Sequence, residues 1–407
     1  MRVYKPSGIK WLGEIPQSWE IVKIKQVSKV VTGKTPCLEN EWGNEMPFIT
    51  PTDCFLDTKY TSLSQRKLSK IGIKNYNSII IPQDSILVTC IASIGKVVMS
   101  NKEVITNQQI NSVIPNTDLI SPDFAFYVLL VTMPFAENYF CGYSILPILN
   151  KSEFSNIKIP LPPLQEQKEI AEFLDKKCEK IQNYIDKKQK LITLLQEKKQ
   201  ALINEVVTKG LNPNIEFKNS EIAYLGLIPH HWEVRRMKFM ASIHNGREQT
   251  EIADENGIYP IYGSGGILGK SMYFIYDKPS VLLGRKGTID KPLFVEEPFW
   301  TIDTMFYTSV SKIVLPKYFY YLCLTIDFQF YISGSAIPSM TQYDLANISF
   351  ALPPLQEQKQ IANFLDEKCE KINSAIEKTK KQIELIKEYK NTLINEAVCG
   401  RINLERK

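Results

Sequence analysis

An internal repeat constrains the fold of this chain more than any other feature. Residues 161–181, which begin Leu-Pro-Pro-Leu-Gln-Glu-Gln-Lys, recur at 352–372 with only three differences. A second match lies upstream, between residues 12–16 and 225–229. Chance does not produce two such matches in the same order, so the chain consists of two copies of one unit.

Between the repeated blocks the two copies have diverged. Residues 85–88 still resemble 280–283, and Thr106 aligns with Thr301. The order along the chain is therefore variable, repeated, variable and repeated. Short β-rich runs such as 78–81 and 85–88, punctuated by Pro and Gly, predict mixed α/β domains in the variable parts. The predicted domain boundaries are 1–160, 161–210, 211–351 and 352–407.

The repeated parts predict two long helices. Residues 164–209 contain neither Pro nor Gly, and apolar residues recur there at intervals of three or four, as on one face of a helix. The second copy repeats this stripe, and Gly210 and Gly400 are natural C-terminal stops. One helix cannot bury such a stripe alone. We therefore expect an α+β fold in which two antiparallel helices form a coiled coil between the variable domains, with an internal pseudo-twofold repeat.

Polar positions within the repeat suggest contacts beyond the helix pair. Lys199 and its equivalent Lys390 interrupt the apolar stripe, where they either extend their side chains to solvent or set the register of the pair. Residues expected to be exposed are also identical in the two copies, although core packing would constrain only apolar positions. They predict two docking sites for two copies of one partner, with recent duplication as the alternative explanation. These residues are Gln165, Glu166, Gln167, Lys168, Gln356, Glu357, Gln358 and Lys359.

Composition argues against several classes of protein. Hydrophobic residues make up 44% and charged residues 23% of the 407 residues, which is typical of globular domains. No apolar run approaches the ~20 residues that span a bilayer, and the N-terminal residues lack the apolar core of a signal peptide. Only three histidines occur, so a histidine-based metal site is not expected. The eight cysteines form no Cys-x-x-Cys pair and fit reduced thiols of the cytoplasm; they lie at 37, 54, 90, 141, 178, 323, 369 and 399.

Catalytic motifs are missing. Residues 264–271 approach a phosphate-binding loop, but Ser264 stands where the first glycine is needed, so we interpret them as a glycine-rich turn. No Gly-x-Gly-x-x-Gly follows a predicted strand, and no Asn-Pro-Pro-Tyr string of the kind found in amino-methyltransferases occurs. We therefore predict a non-catalytic chain that binds no cofactor of its own.

Local clusters offer candidate DNA contacts. Arg285 and Lys286 lie between two glycines, which allow the backbone to approach a phosphate, while an arginine can bind guanine through two hydrogen bonds. A solvated basic turn is the alternative. The amides of 107–109 suit adenine. Residues 211–351 carry a net charge of −2, so any DNA-binding surface there must be sharply segregated. The full candidate set is Lys34, Thr35, Lys96, Asn107, Gln108, Gln109, Arg247, Ser264, Arg285, Lys286, Lys291, Thr301, Asp303 and Thr304.

The whole pattern resembles the specificity subunit of type I restriction-modification enzymes. The resemblance rests on the doubled Leu-Pro-Pro-Leu-Gln-Glu-Gln-Lys block with its long helix, on Trp19 and Trp232, and on the blocks 283–288 and 300–304. It implies that each variable domain is a target-recognition domain for one half of a split double-stranded DNA target. It also implies two modification subunits, which hold S-adenosylmethionine, and restriction subunits, which use ATP and magnesium. A coiled-coil scaffold that ignores DNA is the alternative from another class, and a stand-alone methyltransferase is disfavoured by the missing motifs.

Overall fold

The structure is a computed structural model that describes residues 2–55, 58–61, 64–140, 148–332 and 338–402. Its internal contacts divide the chain into two units. The first comprises 1–187 with 382–407, and the second comprises 188–381. Each unit therefore contains one variable part together with a segment of each repeated part.

The first unit combines short strands with helices of very different length. Its strands are β1 (Tyr4–Pro6), β2 (Glu14–Pro16), β3 (Glu20–Lys23), β4 (Ser28–Thr32), β5 (Trp42–Gly43), β6 (Met46–Ile49), β7 (Lys67–Leu68), β8 (Ile86–Thr89), β9 (Val97–Met99), β10 (Ile105–Thr106), β11 (Ile110–Pro115) and β12 (Lys158–Leu161). Its helices are α1 (Ile24–Val27), α2 (Lys70–Asn75), α3 (Pro122–Phe140), α4 (Lys151–Ser155) and α5 (Leu164–Lys209), the last of which continues into the second unit.

The main sheet of the first unit has the strand order β4-β11-β8-β9, and all of its pairs are antiparallel. A second sheet has the order β10-β6-β7-β5, in which β10 runs parallel to β6. The buried face of the main sheet packs with α3 and the N-terminal part of α5 around the fully buried Trp19. The expected strand at 85–88 is confirmed by β8. The one at 78–81 is wrong, because Asn77–Ile79 turn as a 3-10 helix and only Ile81 forms a bridge before Pro82.

The second unit repeats this plan. Its strands are β13 (Phe217–Asn219), β14 (Leu227–Pro229), β15 (Glu233–Arg236), β16 (Ala241–Asn245), β17 (Tyr259–Gly263), β18 (Gly266–Ser271), β19 (Ser280–Gly284), β20 (Leu293–Val295), β21 (Trp300–Thr301), β22 (Met305–Val310) and β23 (Ser349–Leu352). Its helices are α6 (Met237–Met240), α7 (Pro316–Cys323), α8 (Gln342–Asn347) and α9 (Leu355–Val398), the last of which continues into the first unit.

Sheet topology shows that the two units share one fold. The main sheet β16-β22-β19-β20 has the same connectivity as β4-β11-β8-β9, and β21 pairs in parallel with β17 as β10 does with β6. The core of this unit forms around Trp232, the counterpart of Trp19. The predicted mixed helix and strand content of both variable parts is confirmed.

The long helices have the predicted extents. α5 spans 46 residues and α9 spans 44, and each is followed by a glycine with positive φ, +75° at Gly210 and +72° at Gly400. Residues of both helices lie in each apolar core, for example Leu174 with Ile394 in the first unit and Ile203 with Leu365 in the second. At 1.5 Å per residue, α5 is about 69 Å long.

Candidate nucleic-acid interface

The turn between β21 and β22 organises most of the candidate residues of the second unit. The Arg247 amide donates to the carbonyl of Thr301 at 2.8 Å, and the Arg285 amide donates to the carbonyl of Thr304 at 2.8 Å. The Ser264 amide donates to Thr304 Oγ1 at 3.4 Å. These bonds bring together residues that are far apart in sequence. We call them the second cluster: Arg247, Ser264, Arg285, Lys286, Asp303 and Thr304.

Arg285 is held by its backbone and by its side chain. It follows β19 directly, Gly287 two positions later has φ of +81°, and its guanidinium donates to the carbonyl of Asp303 at 3.3 Å. The guanidinium also lies 5.9 Å from the ring centre of Phe306. Lys286 is exposed, and a cavity of about 390 Å³ lies beside both cations. The arrangement is a strand that ends in a glycine-flanked turn and presents two positive charges.

Two candidates of the second unit lie outside this cluster. Thr301 is fully buried, and its hydroxyl donates to the carbonyl of Tyr262 at 3.1 Å, unlike the exposed position expected of a side chain that contacts DNA. The hydroxyl adds a side-chain hydrogen bond to the backbone pairing of β21 with β17. Lys291 is exposed on the loop between β19 and β20, and the hydrogen bonds of the second cluster do not include it.

The corresponding turn of the first unit, between β10 and β11, carries the amide side chains. The Lys34 amide donates to the carbonyl of Thr106 at 2.9 Å, and the Thr35 hydroxyl donates to Gln108 Oε1. Lys34 and Gln108 are exposed. We call this group the first cluster: Lys34, Thr35, Asn107, Gln108 and Gln109.

Asn107 supports the turn instead of facing solvent. It is only 7% exposed, its Oδ1 accepts from the Gln109 amide at 3.1 Å, and its Nδ2 donates to Gln109 Oε1 at 2.9 Å. All three amides were expected to be available to bases, but the side chain of Asn107 is buried and both of its polar atoms bond Gln109. Gln108 and Gln109 remain accessible.

The side chain of Lys96 bonds a segment that is not part of the first cluster. Its Nζ donates to the carbonyl of Pro51 at 3.1 Å, in the 3-10 turn Pro51–Asp53. Burial raises the pKa of the neighbouring Cys54 thiol to about 12, against the opposing charge of Lys96. This lysine is therefore anchored to a different loop.

The two clusters are built on the same backbone contacts. Lys34 and Arg247 bond equivalent carbonyls, and the Cys90 amide donates to the carbonyl of Gln109 at 2.8 Å, just as Arg285 does to Thr304. The constant offset of 195 between 85–88 and 280–283 was the sequence signal for this equivalence. The same offset places Cys90 at the position of Arg285.

The repeated block joins each long helix to its variable domain. Glu166 accepts a hydrogen bond from the Trp19 indole at 2.9 Å and forms an ion pair with Arg2. Glu357 accepts from the Trp232 indole at 3.0 Å, and its other carboxylate oxygen lies 2.6 Å from the ring of His231. The same tryptophan–glutamate contact is thus made twice.

The glutamines at 167 and 358 are buried, which contradicts the expectation that they are exposed. Gln167 accepts from the Ser121 amide at 2.8 Å and donates to the carbonyls of 119 and 162. Gln358 accepts from the Leu315 amide at 2.8 Å and donates to the carbonyls of 313 and 353. Because every polar atom of each amide is used internally, the sequence identity at these positions reflects the fold. Gln165, Lys168, Gln356 and Lys359 are exposed.

A second contact of the same kind lies two turns further along each helix. Asp175 accepts from the Tyr127 hydroxyl at 2.7 Å and pairs with Lys59 at 2.6 Å. Asp366 accepts from the Tyr321 hydroxyl at 2.6 Å. Burial and the adjacent carboxylate raise the pKa of each tyrosine. Each variable domain is therefore bonded to its long helix by a tryptophan–glutamate pair and a tyrosine–aspartate pair.

Metal-binding groups, membrane-spanning helices and disulfides are absent from the part of the chain that the structure describes. Within it, no group of three or more His, Cys, Asp or Glu side chains is placed to hold a metal ion. None of its helices is long and apolar enough to cross a membrane. No disulfide joins the seven described cysteines, and Cys141 lies outside the described residues.

Comparison with known proteins gives a consistent picture. A family model described as type I restriction modification DNA specificity domain matches residues 16–196 and 229–385. The MjaIX type I restriction enzyme specificity subunit of Methanocaldococcus jannaschii is 26% identical over 430 aligned positions, which cover 97% of this chain and 96% of the relative. The MjaVIII specificity subunit of the same organism is also 26% identical, with 100% and 98% coverage.

Solved structures support the fold. A chain from a structure of the type I R-M system, described in terms of complex assembly and conformational transition, has a TM-score of 0.74 at 14% identity, covering 95% of this chain and 99% of that chain. The HsdS subunit from Thermoanaerobacter tengcongensis has a TM-score of 0.51 at 15% identity, with 95% and 98% coverage.

Proposed function

Because the chain belongs to the type I restriction-modification DNA specificity family, we propose that its two variable domains each recognise one half of a bipartite double-stranded DNA target. Specificity subunits are non-catalytic, and the chemistry lies in other subunits of the complex. The proposed recognition domains are 1–160 and 211–351. The observation that carries this assignment is one backbone arrangement that presents two different sets of polar side chains, the first and second clusters.

The chemistry of each cluster suggests what it contacts. In the first cluster, Gln108 and Gln109 offer the amide groups that bind adenine. In the second cluster, Arg285 offers two parallel donors for guanine, and Asp303 is exposed and able to accept from a cytosine amino group. Lys34, Arg247 and Lys286 are exposed cations suited to phosphates.

We also propose that α5 and α9 form one antiparallel coiled coil, which sets the distance between the half-sites. Lys199 Nζ donates to Asn373 Oδ1 at 2.9 Å, and Ile203 lies in one core with Leu365. Residues later in α5 therefore contact residues earlier in α9, as in an antiparallel pair. Labels at Lys180 and Lys371 should then lie about 25–30 Å apart along the axis. Parallel helices would hold these equivalent positions about 10 Å apart. A control pair at Lys180 and Glu388 should be close in the antiparallel arrangement and distant in the parallel one.

Two modification subunits, which hold S-adenosylmethionine, are the proposed partners, and restriction subunits that use ATP and magnesium would join them in the cytoplasm. The exposed repeated residues Lys168 and Lys359 support two equivalent docking sites.

Reversing both charges to glutamate should prevent co-purification of the modification subunit and leave the circular dichroism unchanged. Lys176→Glu is the matched control, since this exposed position already differs between the copies. Unchanged co-purification in the double variant would reject these sites.

The experiment that tests the proposed function maps adenine methylation in the genome with and without this gene. We expect a bipartite sequence motif that disappears when the gene is removed. The full-length chain should also shift a duplex containing that motif in a manner that weakens steeply with salt. Binding of protein partners without any affinity for DNA would instead support a coiled-coil scaffold.

A further inference from the structure

A hairpin beside the second cluster carries exposed aliphatic side chains near its tip. Strands β17 and β18 are joined by the turn Ser264–Gly265, as expected for a glycine-rich turn. Ile267 and Leu268, at the start of β18, are 64% and 55% exposed. Two adjacent aliphatic side chains that stay in water contribute little to folding, which suggests that a ligand covers them.

The backbone of this hairpin is irregular at these two residues. Ile261 pairs with Gly269 and Tyr262 pairs with Ile267, so Leu268 is an additional residue in the strand. Such a β-bulge redirects side chains that would otherwise alternate between the two faces of a regular strand. The bulge is consistent with the exposure of both neighbours.

The hairpin is slender and backed from one side. No atom lies within 4 Å of the Cβ position at Gly265, Gly266 or Gly269, so open space surrounds this backbone. At Gly263, the Cβ position lies 2.7 Å from Leu268 Cδ1 and 3.2 Å from Ile302 Cδ1. Leu268 therefore rests near Ile302, which belongs to the turn of the second cluster.

Cationic and acidic residues both lie near the hairpin, and the amide of Asp254 donates to the carbonyl of Lys270 at 2.9 Å. Ser264 bonds Thr304, and the Cβ position of Gly287 lies 3.1 Å from Ser264 Oγ, so the tip adjoins the Arg285–Lys286 turn. Lys270 is exposed on β18 itself. Asp303 is the acidic member of the cluster, and a carboxylate can accept from a cytosine amino group. An apolar tip bordered by cations is complementary to DNA, whose bases are apolar on their faces and flanked by phosphates.

The first unit has no equivalent tip in its described residues. The strand that pairs antiparallel with β6 there is β7, which comprises only Lys67–Leu68. Leu68 is fully buried. Among the residues that the structure describes, the exposed aliphatic tip therefore occurs only in the second unit.

We propose that Ile267 and Leu268 form an apolar wedge that inserts between two adjacent base pairs of the half-site bound by the second cluster and unstacks them. This inference rests on the proposed DNA-binding function. Apolar side chains inserted at a base step are a recurrent means of kinking duplex DNA, and pyrimidine–purine steps unstack most easily. The wedge would therefore favour targets that have such a step at the insertion point. This preference would arise from the ease of unstacking the step, without hydrogen bonds from Ile267 and Leu268 to its bases.

The test uses the full-length chain and a duplex containing the motif found by methylation mapping, with 2-aminopurine placed at successive positions. We expect the fluorescence of the wild-type complex to rise at one step, because 2-aminopurine brightens when it is unstacked. Ile267→Ala with Leu268→Ala should abolish this rise and weaken binding by about tenfold or more, since the complex would no longer bury these two aliphatic groups. Ile267→Met with Leu268→Met should retain the rise.

Phe239→Ala provides the matched control. Phe239 is 58% exposed and precedes β16, whereas Arg247 follows the other end of that strand. Its replacement should leave both the rise and the affinity unchanged. Tight binding by the wild-type chain without any rise would overturn the wedge and leave DNA recognition intact. Loss of affinity on replacing thymine by uracil, with no rise, would overturn it in favour of a methyl contact. No binding at all would contradict the proposed function itself.

Discussion

The two variable domains hold the turns of the first and second clusters with the same backbone hydrogen bonds but present different side chains. At one equivalent position the first domain has Cys90, which is 1% exposed, and the second has the partly exposed Arg285. At another equivalent position, the first domain has the amide side chain of Gln109 and the second has the hydroxyl of Thr304. Backbone bonds tolerate any side chain, so the chain can keep its fold while each domain acquires its own chemistry. The domains therefore differ in the side chains that these turns present, and they share the backbone bonds that hold the turns.

The largest expected effect tests the shared part. Trp19 and Trp232 are both fully buried and both donate to a helix glutamate. Replacing either by alanine should lower the free energy of unfolding by about 3–5 kcal/mol, because a large cavity forms. Hydrogen exchange should show the destabilisation only in the unit that carries the change. A cost below about 1 kcal/mol for either replacement would contradict an equivalent role.

A smaller effect is expected at the glycines that let the turns approach. A Cβ at Gly33 would lie 2.2 Å from the carbonyl oxygen of Asn107, and one at Gly246 would lie 2.0 Å from that of Ile302. Alanine at either position should cost about 1–3 kcal/mol of stability through overpacking. Thermal unfolding checks the cost. Gly265→Ala is the control, because open space surrounds its Cβ position, and it should change stability little. Gly226→Ala would not serve, because the φ of +64° at this glycine would strain any side chain.

The next prediction concerns the position where the domains differ most. Arg285→Ala should cost about 1–3 kcal/mol of binding free energy for the preferred base pair and relax the preference there. Cys90→Ala, at the equivalent buried position, should leave sequence preference unchanged. Binding titrations on single-base variants of the target check both. Equal effects of the two replacements would mean that the shared backbone, and not the side chain, determines the choice of base.

The smallest effect is expected from a phosphate contact. Lys286→Ala should weaken binding to all sequences alike. It should also reduce the slope of log affinity against log salt concentration by about one, because one counterion fewer is released. Titrations at several salt concentrations measure this slope. An unchanged slope with an altered base preference would assign Lys286 to base recognition.

Long-range order was readable from the sequence where one periodic pattern extended over many residues. The apolar stripe and its glycine stops predicted α5 from Leu164 to Lys209, and the structure has those bounds. Single polar residues were harder to interpret, because their environment depends on distant parts of the chain. Gln167 and Thr301 looked like surface residues, yet each satisfies backbone groups that lie 46 or 39 positions away. The environment of Asn107 depends on a local contact, since its amide closes the turn in which it stands.

One measurement tests the central claim that each domain reads its own half of the target. Methylated motifs should be mapped genome-wide in strains that carry Arg285→Ala or Gln108→Ala in the full-length chain. We predict that Arg285→Ala relaxes only the half-site bound by residues 211–351 and that Gln108→Ala relaxes only the other half, with the spacing between them unchanged. Relaxation of both halves by either replacement, or wild-type motifs in both strains, would contradict the claim.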